Sequence, residues 1–125
     1  MLQEKAQLDR REHKRFKTQN LMIAILRNTS AKVAQIINIS KGGMAVRYVD
    51  EGDWFGNAKE VNILKNTDFL MAEVPVNVIR DYRYHDDEHF TLAMERQSCV
   101  EFGELSPEQE DRLDYLIMKH CWGEA

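Results

Sequence analysis

Between residues 20 and 102 the apolar side chains fall into short segments with a period near two, and from Ser106 the period lengthens to that of a helix. No other feature of the chain narrows the possible folds as far. Alternation at period two puts every second side chain on one face, which describes a half-buried β-strand. "NLMIAIL" (20–26) is a nearly continuous apolar run, as expected of a strand covered on both faces. "AKVAQIINI" (31–39) follows the turn-forming "RNTS", and "MAVRYV" (44–49) is entered through Gly42 and Gly43, a pair that marks a tight turn or a close backbone approach. In "EVNIL" (60–64) Val61 and Ile63 point inward and Asn62 outward. "AEVPVNVI" (72–79) sets Ala72, Val74, Val76 and Val78 on one face, and Pro75, lacking a backbone donor, places this strand at an edge or a bulge. Phe90, Leu92 and Met94 alternate ahead of "SCVEF" (98–102). Six or seven strands at this spacing predict a small antiparallel barrel or sandwich.

The closing segment, "SPEQEDRLDYLIMKHCW", opens with Ser106 as N-cap, Pro107 at the first helical position and Gln109 three residues after the cap. That is a capping box with favourable proline placement. Leu113, Leu116, Ile117 and Cys121 recur at helical spacing, so an amphipathic helix over about 106–121 packs on the β-domain. With 125 residues, 43% of them hydrophobic and 30% charged, the chain has the size of one domain and buries a core without staples. Met22, Met44, Met71, Met94 and Met118 read as core filler, and Trp54 and Phe55 as aromatics capping an end of the core. Cys99 and Cys121 lack metal-ligand spacing and suit reduced, buried thiols. The start has no apolar segment of a secretory signal, and the apolar run at 21–26 is too short to span a bilayer. A cytoplasmic protein without membrane insertion is expected.

The net charge of −4 argues against general binding to DNA, RNA or acidic membranes, yet Arg10, Arg11, Lys14, Arg15 and Lys17 crowd one polar stretch near the N-terminus. Residues 1–17 read as an exposed arm. Arg11 and Arg15 stand four apart, so their guanidinium groups can converge; the planar fork of each matches a phosphate or the O6/N7 edge of guanine. In "NISKGG" (38–43) Asn38 ends a strand, Ser40 brings a hydroxyl, and Gly43 lets backbone come close to a ligand. Ala45 and Arg47 share the face of Gly43, so Arg47 can reach the same spot.

Together, RxxxR at 11–15 and (D/N)xSxxG at 38–43 resemble the PilZ domain, a bacterial receptor for cyclic di-GMP. "SCVEFGELSPEQEDRLDYLI" is similar to the end of that domain, and the resemblance covers roughly residues 8–120. It implies a mainly β fold: a six-stranded antiparallel barrel over about 18–103, a C-terminal helix and a flexible basic arm, with 1–9 outside and 10–122 inside the PilZ domain. It implies cyclic di-GMP held by Arg11, Arg15, Asn38, Ser40 and Gly43, with Arg10 and Arg47 as secondary candidates. Arg10 precedes the motif at a position that in some relatives influences whether one ligand or an intercalated pair binds. Asn38 stands where many members carry Asp, so its hydrogen bonding differs. The arm would order over the ligand, and a partner protein would sense the change in a monomer or a ligand-dependent dimer.

Nothing in the sequence suggests catalysis, a metal or a resident cofactor: it has no nucleophile elbow, P-loop or glycine-rich dinucleotide motif. His85 and His89 flank "DDE" without zinc spacing and suit a solvated hairpin tip. Two other readings are a nucleotide-independent adaptor of the same fold, for pilus or flagellar machinery, and a small barrel for single-stranded nucleic acid. The intact motifs count against the first; the overall acidity and an arm without interleaved aromatics count against the second.

Overall fold

A computed structural model describes residues 14–18, 22–27, 31–49, 59–66, 68–83 and 95–124. The arm over 1–9, Arg10, Arg11, Trp54, Phe55, His85, His89, Phe90, Leu92 and Met94 lie outside the described residues. The elements in chain order are β1 (Phe16–Thr18), β2 (Met22–Arg27), β3 (Ala31–Ile39), β4 (Gly43–Val49), β5 (Glu60–Lys65), β6 (Asp68–Arg83), β7 (Glu95–Phe102), α1 (Pro107–His120) and β8 (Cys121–Glu124). Strands β2, β5, β6, β7, β4 and β3 are neighbours in that order, and β2 pairs back onto β3. The result is a closed six-stranded antiparallel barrel, which leaves its six strands no free edge over the paired lengths. Among the described residues the fold is mainly β with one helix, Pro107–His120, as the alternation and the capping box predict.

β1 and β8 form a ribbon beyond the ring. Phe16 and Lys17 pair with Ile39 and Asn38 of β3, while Ile23 to Arg27 of β2 pair with Gln35 to Ala31 farther along the same side of β3. β1 and β2 are thus one broken line along β3. β8 lies beside β1 where β5 lies beside β2. This corrects two expectations: Phe16 and Lys17 belong to a strand rather than to a free arm, and Cys121 leaves the helix to start β8.

The core gathers Met22, Ala24, Ile36, Ile39, Met44, Val46, Val61, Ile63, Met71 and Val74 from the strands with Leu113 and Leu116 from α1. Three readings of burial change. Ile23 and Ile25 are only half-buried, so β2 is fully covered on one face and not on two. Met118 is 74% exposed and fills no core, and both cysteines are half-buried rather than enclosed. Burial still pushes the Cys121 thiol up to about 11.

Ala72 does not share the face of Val74. Val61 pairs with Val74 but Ile63 pairs with Met71, so Ala72 and Glu73 together oppose Asn62 in a bulge. Glu73 takes a left-handed φ of 55°, and its N–H donates to Asn62 Oδ1 at 2.9 Å. The extra residue resets the phase, so Met71 and Val74 both face the core and Ala72 turns to solvent. Pro75 sits next to this bulge, one of the two places its missing donor allows, and its carbonyl accepts from Gly103 N at 2.8 Å.

The capping box forms as expected. Ser106 Oγ accepts from Gln109 N at 3.1 Å, and Gln109 Oε1 accepts from Ser106 N at 3.0 Å. Gln109 Nε2 also donates to the carbonyls of Ala72 and Glu73, both at 3.1 Å, which fastens the helix start to the bulge.

Within the wall, Tyr48 of β4, Asp81 of β6 and Arg96 of β7 form a network: Asp81 Oδ2 accepts from the Tyr48 hydroxyl at 2.5 Å and Oδ1 from Arg96 Nε at 2.6 Å. Burial, followed by the hydrogen bond to Asp81, holds the Tyr48 hydroxyl well above the ordinary tyrosine pKa of 10.0.

At the other end of α1, His120 Nδ1 lies 3.5 Å from Lys65 Nζ. Burial first, then the charges of Lys65 and Lys119, lower the His120 pKa below 6.5, with Asp68 opposing. The unfolded chain therefore takes up this proton first as pH falls. The stability linked to neutral His120 is complete above pH 6.5 and is lost as pH falls toward the lowered folded value. Thermal unfolding as a function of pH checks this: His120→Gln is expected to flatten the fall of the midpoint below pH 6.5.

Candidate functional site

The turn between β3 and β4 is built by Ser40. Its N–H donates to Gly43 O at 2.8 Å, and its Oγ accepts from Gly42 N at 3.1 Å and Gly43 N at 3.2 Å. Ser40, 5% exposed as a residue, thus folds the turn from within through its hydroxyl. Gly42 O accepts from Phe102 N at 2.8 Å, which ties the turn to the end of β7. Behind Gly43, a Cβ would overlap the Val100 carbonyl oxygen and lie 2.9 Å from Glu101 Cα. The space that glycine leaves open is filled by β7. Lys41, exposed at the tip, pairs with Asp114 of α1 at 3.1 Å, a surface contact of small energetic weight.

Just before the turn, β3 carries a bulge between Ile36 and Asn38. Thr18 of β1 closes it: its hydroxyl oxygen lies 2.6 Å from Ile36 O and 3.1 Å from Ile37 O, so one proton is shared between two carbonyls. Next to this closure Asn38 Oδ1 is buried without a hydrogen-bond partner among the described residues. A buried acceptor left unpaired costs about 1–3 kcal/mol, so a donor suits this position.

Arg15, the residue before β1, stands at the same place. With Ser40, Lys41, Gly42 and Gly43 it forms one side of a cleft of about 870 Å³. Residues 100–105, Ile79, and Glu110, Leu113 and Asp114 of α1 form the rest. The size falls within the roughly 300–1,000 Å³ usual for small-ligand sites. Arg15 and Lys41 bring positive charge to the lining of the cleft, and Glu101, Glu104, Glu110 and Asp114 bring negative charge.

Of the residues singled out from the sequence, the structure brings Arg15, Ser40 and Gly43 to this cleft and sets Asn38 at the end of the strand leading into it. Arg47 stands apart from the cleft, with Nε donating to Gln97 Oε1 at 3.1 Å. Sequence reasoning missed Lys41, Ile79 and the acidic residues of the lining. Lys41 lies inside the motif and was there to be found; the acidic residues come from β7 and α1 and carry no motif. Among the described residues no helix is long and apolar enough to cross a membrane, and no cluster of His, Cys, Asp or Glu is arranged to hold a metal ion.

No family model matches the chain, and no curated protein matches it in sequence. Solved structures do match in shape. The PilZ domain of YcgR from Escherichia coli, solved with cyclic di-GMP, superposes with a TM-score of 0.67 at 15% identity, over 90% of this chain and 92% of that one. The fold is that of a PilZ domain. MrkH of K. pneumonia, solved as a cyclic di-GMP complex, gives a TM-score of 0.70 at 14% identity, over 88% of this chain and 52% of MrkH. MotI/DgrA, an inhibitor of motility from Bacillus subtilis, gives 0.58 at 21% identity, over 89% of this chain and 51% of that one. The chain thus spans about half the length of MrkH and MotI and nearly all of the isolated YcgR domain. In this PilZ fold the 38–43 turn joins two barrel strands, and Arg15 approaches it from the ribbon outside the barrel.

Proposed function

We propose that this chain is a receptor for cyclic di-GMP that acts by binding and not by catalysis, and passes the signal to a partner protein. The observation that carries the proposal is the convergence of Arg15 with the 38–43 turn on one cleft of a PilZ fold, although the two are far apart in sequence. The structural neighbours solved with cyclic di-GMP support the choice of ligand. The ligand carries two guanines and two phosphates. Arg11 and Arg15 take guanine edges or phosphate through their guanidinium forks, with Arg10 in reserve. Asn38 Oδ1 accepts an N–H, Ser40 keeps the turn in shape, and Gly43 lets β4 lie close against β7 so that the turn holds its place at the cleft. The acidic residues of the lining suit the N–H edge of guanine, which offers donors. The arm orders over the ligand in the cytoplasm, in a monomer or a ligand-linked dimer.

Calorimetric titration with cyclic di-GMP, with GTP as the control ligand, tests this. Saturable binding that GTP does not reproduce is expected. Arg15→Ala should weaken it about 5- to 150-fold, the equivalent of one arginine–guanine contact of about 1–3 kcal/mol. Arg11→Ala/Arg15→Ala should weaken it further. Absence of binding by the intact chain would overturn the receptor reading in favour of a nucleotide-independent adaptor.

A further inference from the structure

β1 has only three residues, too few to hold a fixed position unaided. It is gripped on both sides. On one side Phe16 and Lys17 pair with Ile39 and Asn38 of β3; on the other Phe16, Lys17 and Thr18 pair with Glu124, Trp122 and Cys121 of β8. Arg15 directly precedes β1, so its place over the cleft is set by the strand that follows it. β8 is the outermost strand of the sheet and continues from α1 without a connecting residue. Cleft, Arg15, β1, β8 and helix therefore form one mechanical series.

We infer that β8 is a clasp that positions Arg15 for the ligand, and that binding through Arg15 tightens β8 in return. The second half follows from the first, because a coupling free energy between two sites is reciprocal. The state of β8 then follows the occupancy of the cleft. This inference rests on the receptor reading above and adds the element that carries the signal away from the site.

Gly123 offers a clean handle. Its φ is +61°, and a Cβ there would meet nothing within 4 Å. A substitution at 123 therefore acts through backbone conformation alone. A β-branched residue disfavours this left-handed conformation, whereas asparagine tolerates it.

The test titrates cyclic di-GMP into the intact chain, Gly123→Val, Gly123→Asn and a chain ending at His120, with Arg15→Ala added to the intact and shortened chains. Gly123→Val and the shortened chain are expected to bind about tenfold more weakly, within the range one arginine contact provides. Gly123→Asn should stay close to the intact chain. Arg15→Ala should cost much less in the shortened chain than in the intact one, because Arg15 is no longer held in place there. In the intact chain the ligand should also slow amide exchange at 121–124. Unchanged affinity in a folded shortened chain, or an equal Arg15→Ala cost in both backgrounds, would overturn the clasp and leave the receptor reading standing. Absence of binding by the intact chain overturns both. Where the shortened chain does not fold, the contrast between Gly123→Val and Gly123→Asn decides: equal affinities overturn the clasp.

Discussion

Gly43→Ala is expected to destabilise the protein by about 3 kcal/mol or more, a large share of the roughly 5–15 kcal/mol that holds a domain together. In the β4–β7 ladder Gly43 is paired with Glu101, and the added methyl would overlap the Val100 carbonyl oxygen. Both obstacles are backbone, so no rotamer change relieves them. The start of β4 must move away from β7, and the bond from Phe102 N to Gly42 O goes with it. Urea unfolding monitored by circular dichroism checks this. A midpoint equal to that of the parent chain would show that the two strands have room to part. The result also governs how binding data are read: lost affinity in a Gly43 variant reports a displaced turn before it reports a missing ligand contact.

The second large effect is expected at Asp81. Its two carboxylate oxygens serve Arg96 on the neighbouring strand β7 and Tyr48 on β4 beyond it, and the Asp81 and Arg96 side chains are only 9% and 15% exposed. Asp81→Ala leaves a poorly hydrated guanidinium and a buried phenol without their shared acceptor, which should cost about 3–5 kcal/mol. The attraction within such a network is offset by the desolvation of its charges, so removing both charges costs less than removing one. Asp81→Leu/Arg96→Met should therefore recover about half or more of the loss. Thermal unfolding of the two variants beside the parent decides it. A double variant weaker than Asp81→Ala would show that the ion pair adds net stability to this barrel.

The parts of the fold that were legible in the sequence are those whose cause is local. β3 begins and ends where its apolar alternation does, and α1 begins at its cap. β6 was legible only in part, because the bulge at Ala72–Glu73 changes the phase of the alternation and nothing in "AEVP" marks a left-handed glutamate. β1 and β8 were not legible at all: "FKT" and "CWGE" are too short for a period to show; β1 is a strand because β3 and β8 lie on either side of it, and β8 because β1 lies beside it. The site divides in the same way. The turn at 38–43 could be read from its residue types, since serine and glycine have local reasons to be there. The reason for Gly43 could not, because a glycine facing a ligand and a glycine facing a neighbouring strand look alike in sequence. The acidic residues of the lining come together from β7 and the helix only once the chain has folded.

Gln109 shows how a residue that satisfies a local rule can also obey a distant one. In a free helix, glutamate and glutamine are nearly interchangeable at the third position after a serine cap, because both offer the oxygen that closes the box. Here the amide nitrogen is committed to two carbonyls of the β6 bulge, where a carboxylate would set oxygen against oxygen. A protein engineer improving this helix by the usual exchange would strengthen its interaction with the helix dipole while loosening the join between helix and barrel. The helix of this chain is therefore not a cassette that can be optimised in isolation; its first turn is written partly in the grammar of the sheet.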